Sequence, residues 1–343
     1  MKIGIESVWH GGTTAAAAAR ALLAPASAAY RVATGVRNVL YDRGLLVRQR
    51  GAIPVVSIGN LSVGGTGKTP IAAWLAAQFV ARGSRPALVL RGYGDDEPRV
   101  HALLNPDVPV VVNSDRVAAV REAASRGCDI AILDDAFQHR RIERLEDIVL
   151  VSADRWHEPQ RLLPAGPWRE RPTALSRSSL VIITRKAAPS SDADRLMRRL
   201  STAHGHRDGA IVSLQPGSLH DSVTGVKRPL SELAGARVLA VAGIGDPQSF
   251  VEQLAASGAR VDLRRFPDHH AYSPLEIKEL AKSAAGYDHI CCTLKDAVKL
   301  GPRWPREGQT LWYVSLRCEI EAGESAVAAL INRVLAARQT NAR

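Results

Sequence analysis

A glycine-rich loop between an apolar strand and a helix constrains the fold of this chain more than any other feature. Residues 54–58 predict a short buried strand, and Lys68 to Ala81 predict a helix that ends near Gly83. Between them lies the sequence Ser62-Val63-Gly64-Gly65-Thr66-Gly67-Lys68-Thr69. This arrangement of strand, loop and helix is that of a P-loop, although serine replaces the usual first glycine.

The loop predicts a site for the phosphates of a nucleotide. Its glycines allow backbone N–H groups to point inward at the phosphates, and the following helix offers its N-terminus. Lys68 can reach the β- and γ-phosphates, and the hydroxyl of Thr69 can bind Mg²⁺. We therefore expect ATP and Mg²⁺ as cofactors, with the phosphates held by Gly64, Gly65, Thr66, Gly67, Lys68 and Thr69. ATP is favoured over GTP because residues 184–187 and 293–296 both depart from the Asn/Thr-Lys-x-Asp sequence of GTPases.

A second apolar strand ends in paired carboxylates. Ile130 to Leu133 are followed directly by Asp134 and Asp135. An acid at the carboxyl edge of the sheet can hold Mg²⁺ beside a P-loop, either directly or through water. Both aspartates are therefore candidate metal ligands together with Thr69, and the sequence does not decide which of the two binds the ion directly.

Further apolar strands alternate with helices along the rest of the chain. They lack polar alternation, which is typical of a parallel sheet covered by helices on both faces. We predict an α/β fold of the P-loop NTPase type with its core at residues 51–232. A smaller C-terminal α/β domain at residues 233–343 is expected to close over the site, and residues 1–50 are expected to form an N-terminal amphipathic helical segment. Residues 184–232 give no clear pattern.

Residues 1–50 combine apolar positions at helical spacing with interspersed arginines. Pro25 is expected to kink this segment or to break it into two helices. A basic amphipathic helix can lie in a membrane interface, and it can equally pack on the neighbouring domain. The pattern by itself leaves both alternatives open.

The charge of the chain narrows the choice of partners. The formal net charge is +11, which indicates an anionic partner. Nucleic acid is not expected, because neither a Cys/His zinc spacing nor an arginine-rich tail accompanies the charge. The sequence contains no run of about 18–20 apolar residues that would span a bilayer, and its start has no cleavable signal pattern. We expect a cytoplasmic protein or one on the cytoplasmic face of a membrane.

Two classes of P-loop protein remain. A MinD/ParA-like ATPase would act as a partner-binding switch, but its loop begins Lys-Gly-Gly, and here Val63 precedes the glycine pair. The other class is a kinase for a small or lipid acceptor. Motifs over nearly the whole chain favour the kinase, because together they resemble the tetraacyldisaccharide 4′-kinase family of lipid A biosynthesis. They lie at residues 56–61, 91–94, 96–98, 134–139, 163–170, 243–245, 268–270 and 295–299.

The resemblance implies a reaction and a location. ATP would phosphorylate the 4′-hydroxyl of a tetraacylated glucosamine disaccharide 1-phosphate, which is an acylated, membrane-embedded acceptor. The enzyme would then bind the anionic surface of the inner membrane peripherally, on its cytoplasmic face. This favours the interfacial interpretation of residues 1–50. The chain departs from the family pattern at Leu90, Ala136 and Leu294, and the loop before Asp96 is shorter than in the family.

Four residues are candidates for substrate binding. Arg91 and Arg169 can contact phosphate, because a guanidinium offers two donors side by side. Each could instead bridge a carboxylate at the edge of the sheet. Gln138 and His139 belong to the motif after the paired aspartates, and His139 could orient those carboxylates or be a structural histidine.

The proton of the acceptor hydroxyl needs a base, and Asp96 and His269 are the candidates. A carboxylate that bonds to a histidine fixes its tautomer and stabilises its cation, so the pair is a better base than either residue alone. The resemblance points to the same pair. Asp95 and His270 are the alternatives. Since the two candidates lie in different predicted domains, we expect the pair to form when the domains close on ATP and the acceptor.

Overall fold

The apolar runs of the sequence form the strands of one mixed sheet in a computed structural model of the chain. The structure describes residues 5–92, 96–204 and 209–341. Within these ranges the helices are α1 (Ile5–His10), α2 (Thr14–Asp42), α3 (Lys68–Val80), α4 (Asp96–Leu104), α5 (Arg116–Ser125), α6 (Ser190–His204), α7 (Pro247–Ala256), α8 (Pro274–Ala284), α9 (Leu294–Leu300) and α10 (Glu324–Asn341). The strands are β1 (Val55–Asn60), β2 (Pro86–Leu90), β3 (Val110–Val112), β4 (Ile130–Asp134), β5 (Glu146–Ser152), β6 (Leu180–Arg185), β7 (Gly209–Asp221), β8 (Lys227–Pro229), β9 (Arg237–Ala242), β10 (Arg260–Arg265), β11 (His289–Cys292) and β12 (Leu311–Ala322).

The strand order is β10-β9-β11-β12-β7-β6-β5-β1-β4-β2-β3, and β8 pairs with β7. The strands from β3 to β7 in this order run parallel, and so do β9 to β12. The long strands β7 and β12 pair antiparallel and join the two series. We call β1 to β6 with α3 to α6 the P-loop half, and β9 to β11 with α7 to α9 the second half. The predicted α/β fold is confirmed, with one sheet running through both halves.

Strand β1 shows why the sequences of the strands are apolar and lack alternating polar residues. All of its residues, Val55 to Asn60, are buried, because α3 covers one face and α5 the other. Val56 and Ile58 pack with Leu75 and Phe79 of α3 on the first face. The carboxyl ends of β1, β4 and β5 therefore meet at one edge, because these three strands run side by side and parallel.

The last helix, α10, packs on the P-loop half. Val327, Leu330, Ile331 and Val334 of α10 join the core cluster that contains Val56 and α3. Their spacing of three and four residues is that of one helix face. The sequence analysis did not assign this helix. The proposed boundary between domains near residue 233 stays a prediction. Helix α10 follows the second half in the chain but packs on the P-loop half.

The expectation that Pro25 breaks the N-terminal segment into two helices is wrong. Helix α2 runs through Pro25, and the break lies before its N-cap, Thr13. A proline removes one intrahelical hydrogen bond, and contacts with the body of the protein hold the helix beyond it. The hydroxyl of Ser27 donates to the Leu162 carbonyl at 3.1 Å and accepts from the Ala165 N–H at 3.0 Å.

The unassigned region 184–232 contains α6 and β7. Strand β7 resists prediction because it includes Pro216 and Gly217, and its pairing with β12 shifts register between Val314 and Leu316.

Among the described residues, the helices are all too short or too polar to cross a membrane.

We predict that α10 is an integral part of the P-loop half. Leu330 is fully buried, so Leu330→Ala should lower the free energy of unfolding by about 2–5 kcal/mol, as cavity-forming substitutions do. Leu275→Ala is the control, because Leu275 on α8 is 66% exposed, and its effect should stay within about 0.5 kcal/mol. Denaturant unfolding measures both. Equal, small effects would show that α10 contributes no core.

Candidate active site

The P-loop leaves β1 and enters α3 in a conformation that its glycines permit. Gly67 is the N-cap of α3 with φ of 84°, and Gly64 has φ of 117°. Such positive values strain any residue with a Cβ. Two buried side chains hold the loop at Thr66: the Asn60 amide donates to its hydroxyl at 2.8 Å, and the Thr184 hydroxyl donates to its carbonyl at 2.9 Å. The loop is therefore fixed from β1 and β6 beneath it.

Asp135 lies against the P-loop lysine. It follows β4 with φ of 51°, and its carboxylate lies 3.7 Å from Lys68 Nζ and 2.8 Å from Arg169 Nη1. Burial by itself would raise the pKa of Asp135, but Lys68 and Arg169 outweigh it and lower that pKa below the usual value. Of the two possibilities for Arg169, the structure shows the one in which it bridges a carboxylate at the sheet edge.

Asp134 is bonded to a histidine that the sequence analysis missed. His101 on α4 is fully buried, and its Nε2 lies 3.0 Å from Asp134 Oδ2. The other oxygen, Oδ1, is buried and has no hydrogen-bond partner among the described residues. The histidine beside this carboxylate is thus His101 and not His139. Burial and the nearby Arg116 lower the pKa of His139 to about 4.

Glu97 is a second residue that the sequence analysis did not single out. It is the residue after Asp96 on α4, and its carboxylate lies 4.0 Å from Lys295 Nζ of α9. Burial and the nearby Asp134 raise the pKa of Glu97, and the opposing effects of Lys295 and Lys68 do not cancel this. A carboxylate so close to Asp134 crowds negative charge at this edge of the sheet, which is a suitable environment for a cation.

Asp96 and His269 are in contact. Asp96 starts α4, is 4% exposed, and its Oδ2 lies 3.0 Å from His269 Nδ1 and 3.1 Å from Lys299 Nζ. Burial by itself would raise the pKa of Asp96, but Lys299 and His269 lower it below its usual value. His269 and Lys299 both belong to the second half, so this carboxylate is bound from across the molecule.

His270 and Asp95 were the alternatives to this pair, and His270 has a different hydrogen-bond partner. His270 bonds to Glu276 at 3.0 Å, and Glu276 forms the capping box of α8 with Ser273. His270 therefore supports a helix end. His269 has a left-handed backbone conformation, with φ of 58°, and its side chain contacts Asp96. Asp95 lies outside the described residues.

One large cavity, of about 1570 Å³, lies between the halves. The P-loop from Gly64 to Thr69 forms one wall, Asp135 and Arg169 lie beside it, and His269 comes from the second half. Helix α1 adds further lining residues. Asp96 and Asp134 lie behind this surface. Three of the four substrate-binding candidates also lie outside the lining of the cavity: Arg91, Gln138 and His139. The Gln138 amide instead donates to the Asn60 carbonyl at 2.9 Å.

These features together define a P-loop kinase: a phosphate loop and a carboxylate strand lie beside a cavity that is also lined by the histidine of a histidine–carboxylate pair. A family model described as Tetraacyldisaccharide-1-P 4′-kinase matches residues 19–336. The chain belongs to this family. The kinase prediction is therefore confirmed, in preference to the partner-binding ATPase.

Individual relatives agree with the family model. The tetraacyldisaccharide 4′-kinase of Anaeromyxobacter dehalogenans strain 2CP-C is 38% identical over 334 residues, covering 87% of this chain and 86% of that protein. That of Halorhodospira halophila is 38% identical over 336 residues, covering 91% and 93%. The crystal structure of LpxK from Aquifex aeolicus in complex with ATP is 27% identical with a TM-score of 0.72, and covers 92% of this chain and 99% of that one.

We predict that Lys299 stabilises the ionised form of Asp96. In the Lys299→Met variant the buried carboxylate of Asp96 loses its cation, so burial raises the pKa of Asp96. The free energy of unfolding should therefore fall by about 3 kcal/mol near pH 7. In the wild type, the stability that comes from the lowered pKa is present above the unfolded-state pKa and is lost as the pH falls through the folded-state pKa. The difference in the free energy of unfolding between variant and wild type, called the gap below, should therefore narrow toward about pH 4.

Denaturant unfolding at several pH values measures this gap. Lys278→Met is the control, because Lys278 is exposed on α8. A gap that does not change with pH would contradict the assignment of the ion pair.

Proposed function

We propose that the chain transfers the γ-phosphoryl group of ATP to the 4′-hydroxyl of a tetraacyldisaccharide 1-phosphate. The contact between Asp96 and His269 carries this proposal. It brings a potential base from the second half into the cavity that the P-loop lines. The names of the relatives supply the acceptor, and the position of the pair supplies the way in which its hydroxyl would be activated.

The P-loop residues Gly64 to Thr69 would hold the phosphates, with Lys68 as the cation on the β- and γ-phosphates. The residues present suit Mg²⁺, which prefers oxygen ligands and keeps several waters. The unpartnered Oδ1 of Asp134 and the Thr69 hydroxyl would hold the ion, with Asp135 beside them. Bound there, Mg²⁺ neutralises charge on the phosphates. In the described residues no group of three His, Cys, Asp or Glu forms a ligand cluster, so phosphate oxygens and water would complete the shell.

The orientation of His269 supports a role as the general base. Its Nδ1 faces Asp96, and its Nε2, which lies 4.0 Å from Asp268 Oδ1, would accept the proton of the 4′-hydroxyl. The acceptor oxygen forms its bond to the γ-phosphorus while the bond from the γ-phosphorus to the β–γ bridging oxygen breaks. The electron pair of that bond stays on ADP. Asp96 stabilises the imidazolium that results.

The substrate-binding roles remain proposals. Arg169 lines the cavity and is within reach of a phosphate if it leaves Asp135. Arg91, Gln138 and His139 lie outside the cavity lining, so we assign the acceptor contact first to Arg169.

We predict that Asp96 and His269 act as a unit. With saturating Mg-ATP and the purified disaccharide acceptor, Asp96→Ala and His269→Ala should each lower kcat by roughly 10²-fold or more. The affinity for ATP should change little, because neither residue is part of the P-loop. The double variant should be less impaired than the product of the single losses, since groups that act together are not additive.

The assay measures the phosphorylated lipid as well as ADP. The matched control is His270→Ala, which removes the neighbouring histidine but not the pair. If the single losses multiply in the double variant, or if either single variant keeps its kcat, the pair does not act as the base. If the wild type releases ADP without a phosphorylated lipid, the proposed acceptor is wrong.

We also propose that α2 binds the anionic cytoplasmic face of the inner membrane. One side of α2 packs on the protein through Ala16 and Ser27, and the other leaves large apolar residues exposed. These are Leu22 (82% exposed), Val32 (60%), Val36 (54%) and Val39 (46%). Arg31 and Arg37 are exposed on the same helix. A helix with this composition can lie in the headgroup region of a membrane.

We predict that Leu22→Ser combined with Val36→Ser weakens cosedimentation with vesicles of anionic phospholipid. A higher salt concentration should also weaken the cosedimentation of the wild type, because each basic residue near such a surface contributes about 1 kcal/mol. Leu275→Ser, an equally exposed change on α8, is the control. Unchanged sedimentation of the double variant would mean that α2 only packs on the body of the protein.

A further inference from the structure

Arg155 stands beside the P-loop, and neither its motif nor its charge marked it as a site residue. It follows β5, which pairs with β1 in parallel, so it leaves the sheet at the edge from which the P-loop also leaves. Its guanidinium lies against Gly64: a Cβ added to that glycine would clash with Arg155 Nη1. Arg155 lines the same cavity as Lys68.

The backbone on both sides of Arg155 is anchored. The carboxylate of Asp154 accepts N–H bonds of 2.7–2.8 Å from residues 186–188, at the end of β6. The indole of Trp156 packs edge-on against Trp168 at 5.2 Å. Trp168 is buried and forms a β-bridge with Ser62, the first residue of the P-loop. The position of Arg155 is therefore fixed relative to the loop from two directions.

The charged partners of Arg155 bind it only loosely. Glu6 of α1 lies 3.7 Å away and Asp246, the N-cap of α7, lies 3.9 Å away. Both distances are longer than a hydrogen bond. Arg169 differs, because it donates to Asp135 at 2.8 Å. Arg155 can thus turn its donors to a third, more strongly charged group without breaking a hydrogen bond to either carboxylate.

We propose that Arg155 is a catalytic residue that binds the γ-phosphoryl group of ATP during its transfer, as an arginine finger supplied within the chain. A group that touches a glycine of the phosphate cradle lies beside the phosphates that the cradle holds. The charge of the transferring group spreads over its three equatorial oxygens, and the planar fork of arginine can donate to two of them. Arg155 keeps its protons throughout. This inference rests on the proposed phosphoryl transfer.

The test compares Arg155→Ala and Arg155→Lys with the wild type. Removal of such an arginine should lower kcat by roughly 10³-fold, while the KM for ATP changes less than about threefold. Lysine keeps the charge but loses the fork, so its kcat should lie between the two. Added guanidinium chloride should restore part of the activity that Arg155→Ala loses. It should not change the activity of Arg195→Ala. The latter is the control, because Arg195 on α6 is 75% exposed and pairs only with Asp192 in the described structure.

A second readout needs no acceptor. Mg-ADP with aluminium fluoride imitates the transferring group, so calorimetry should show that Arg155→Ala loses affinity for this complex but keeps its affinity for Mg-ADP alone. Equal losses for both, or a normal kcat, would make Arg155 a structural link between α1 and α7 and overturn the proposal. If the wild type binds the mimic but phosphorylates no lipid, the acceptor is wrong and the role of Arg155 stands.

Discussion

A buried carboxylate needs partners, and Asp96 finds both of its partners in the other half of the molecule. Its side chain is 3% exposed, and it contacts His269 and Lys299 at about 3 Å. An unpaired charge at this depth would cost several kcal/mol. The pairing therefore ties α4 to α9 and to the loop after β10. These contacts lie beside the cavity between the halves, which His269 lines.

The sheet makes this pairing possible. Strand β7 belongs to one series of parallel strands and β12 to the other. The two strands pair antiparallel, so the two halves share one hydrogen-bonded frame. On that frame the carboxylates at the sheet edge have different partners. Asp134 bonds to His101, Asp135 to Lys68 and Arg169, and Asp96 to the second half. One oxygen of Asp134 has no hydrogen-bond partner among the described residues.

The sequence predicted most of the parallel sheet and the phosphate loop, because both have strong local patterns. Local patterns could not find His101 or Glu97, since their roles depend on how α4 packs behind Asp134. The same is true of Arg155, which becomes significant only because β5 lies beside β1. At Pro25 the expected break into two helices does not occur, and hydrogen bonds between Ser27 and the loop near Leu162 hold the helix there. The apolar residues of α10 recur at helical spacing, so this helix is a local pattern that the sequence contains.

We propose that His269, held by Asp96, removes a proton while the phosphoryl group passes directly from ATP to the acceptor. The stereochemistry at phosphorus tests this claim most directly. With ATP whose γ-phosphorus is made chiral by oxygen isotopes, one in-line displacement inverts the configuration. We predict inversion in the phosphorylated lipid. Retention would show two displacements and a phosphorylated enzyme, and a histidine that takes the phosphate itself could not be the base described here.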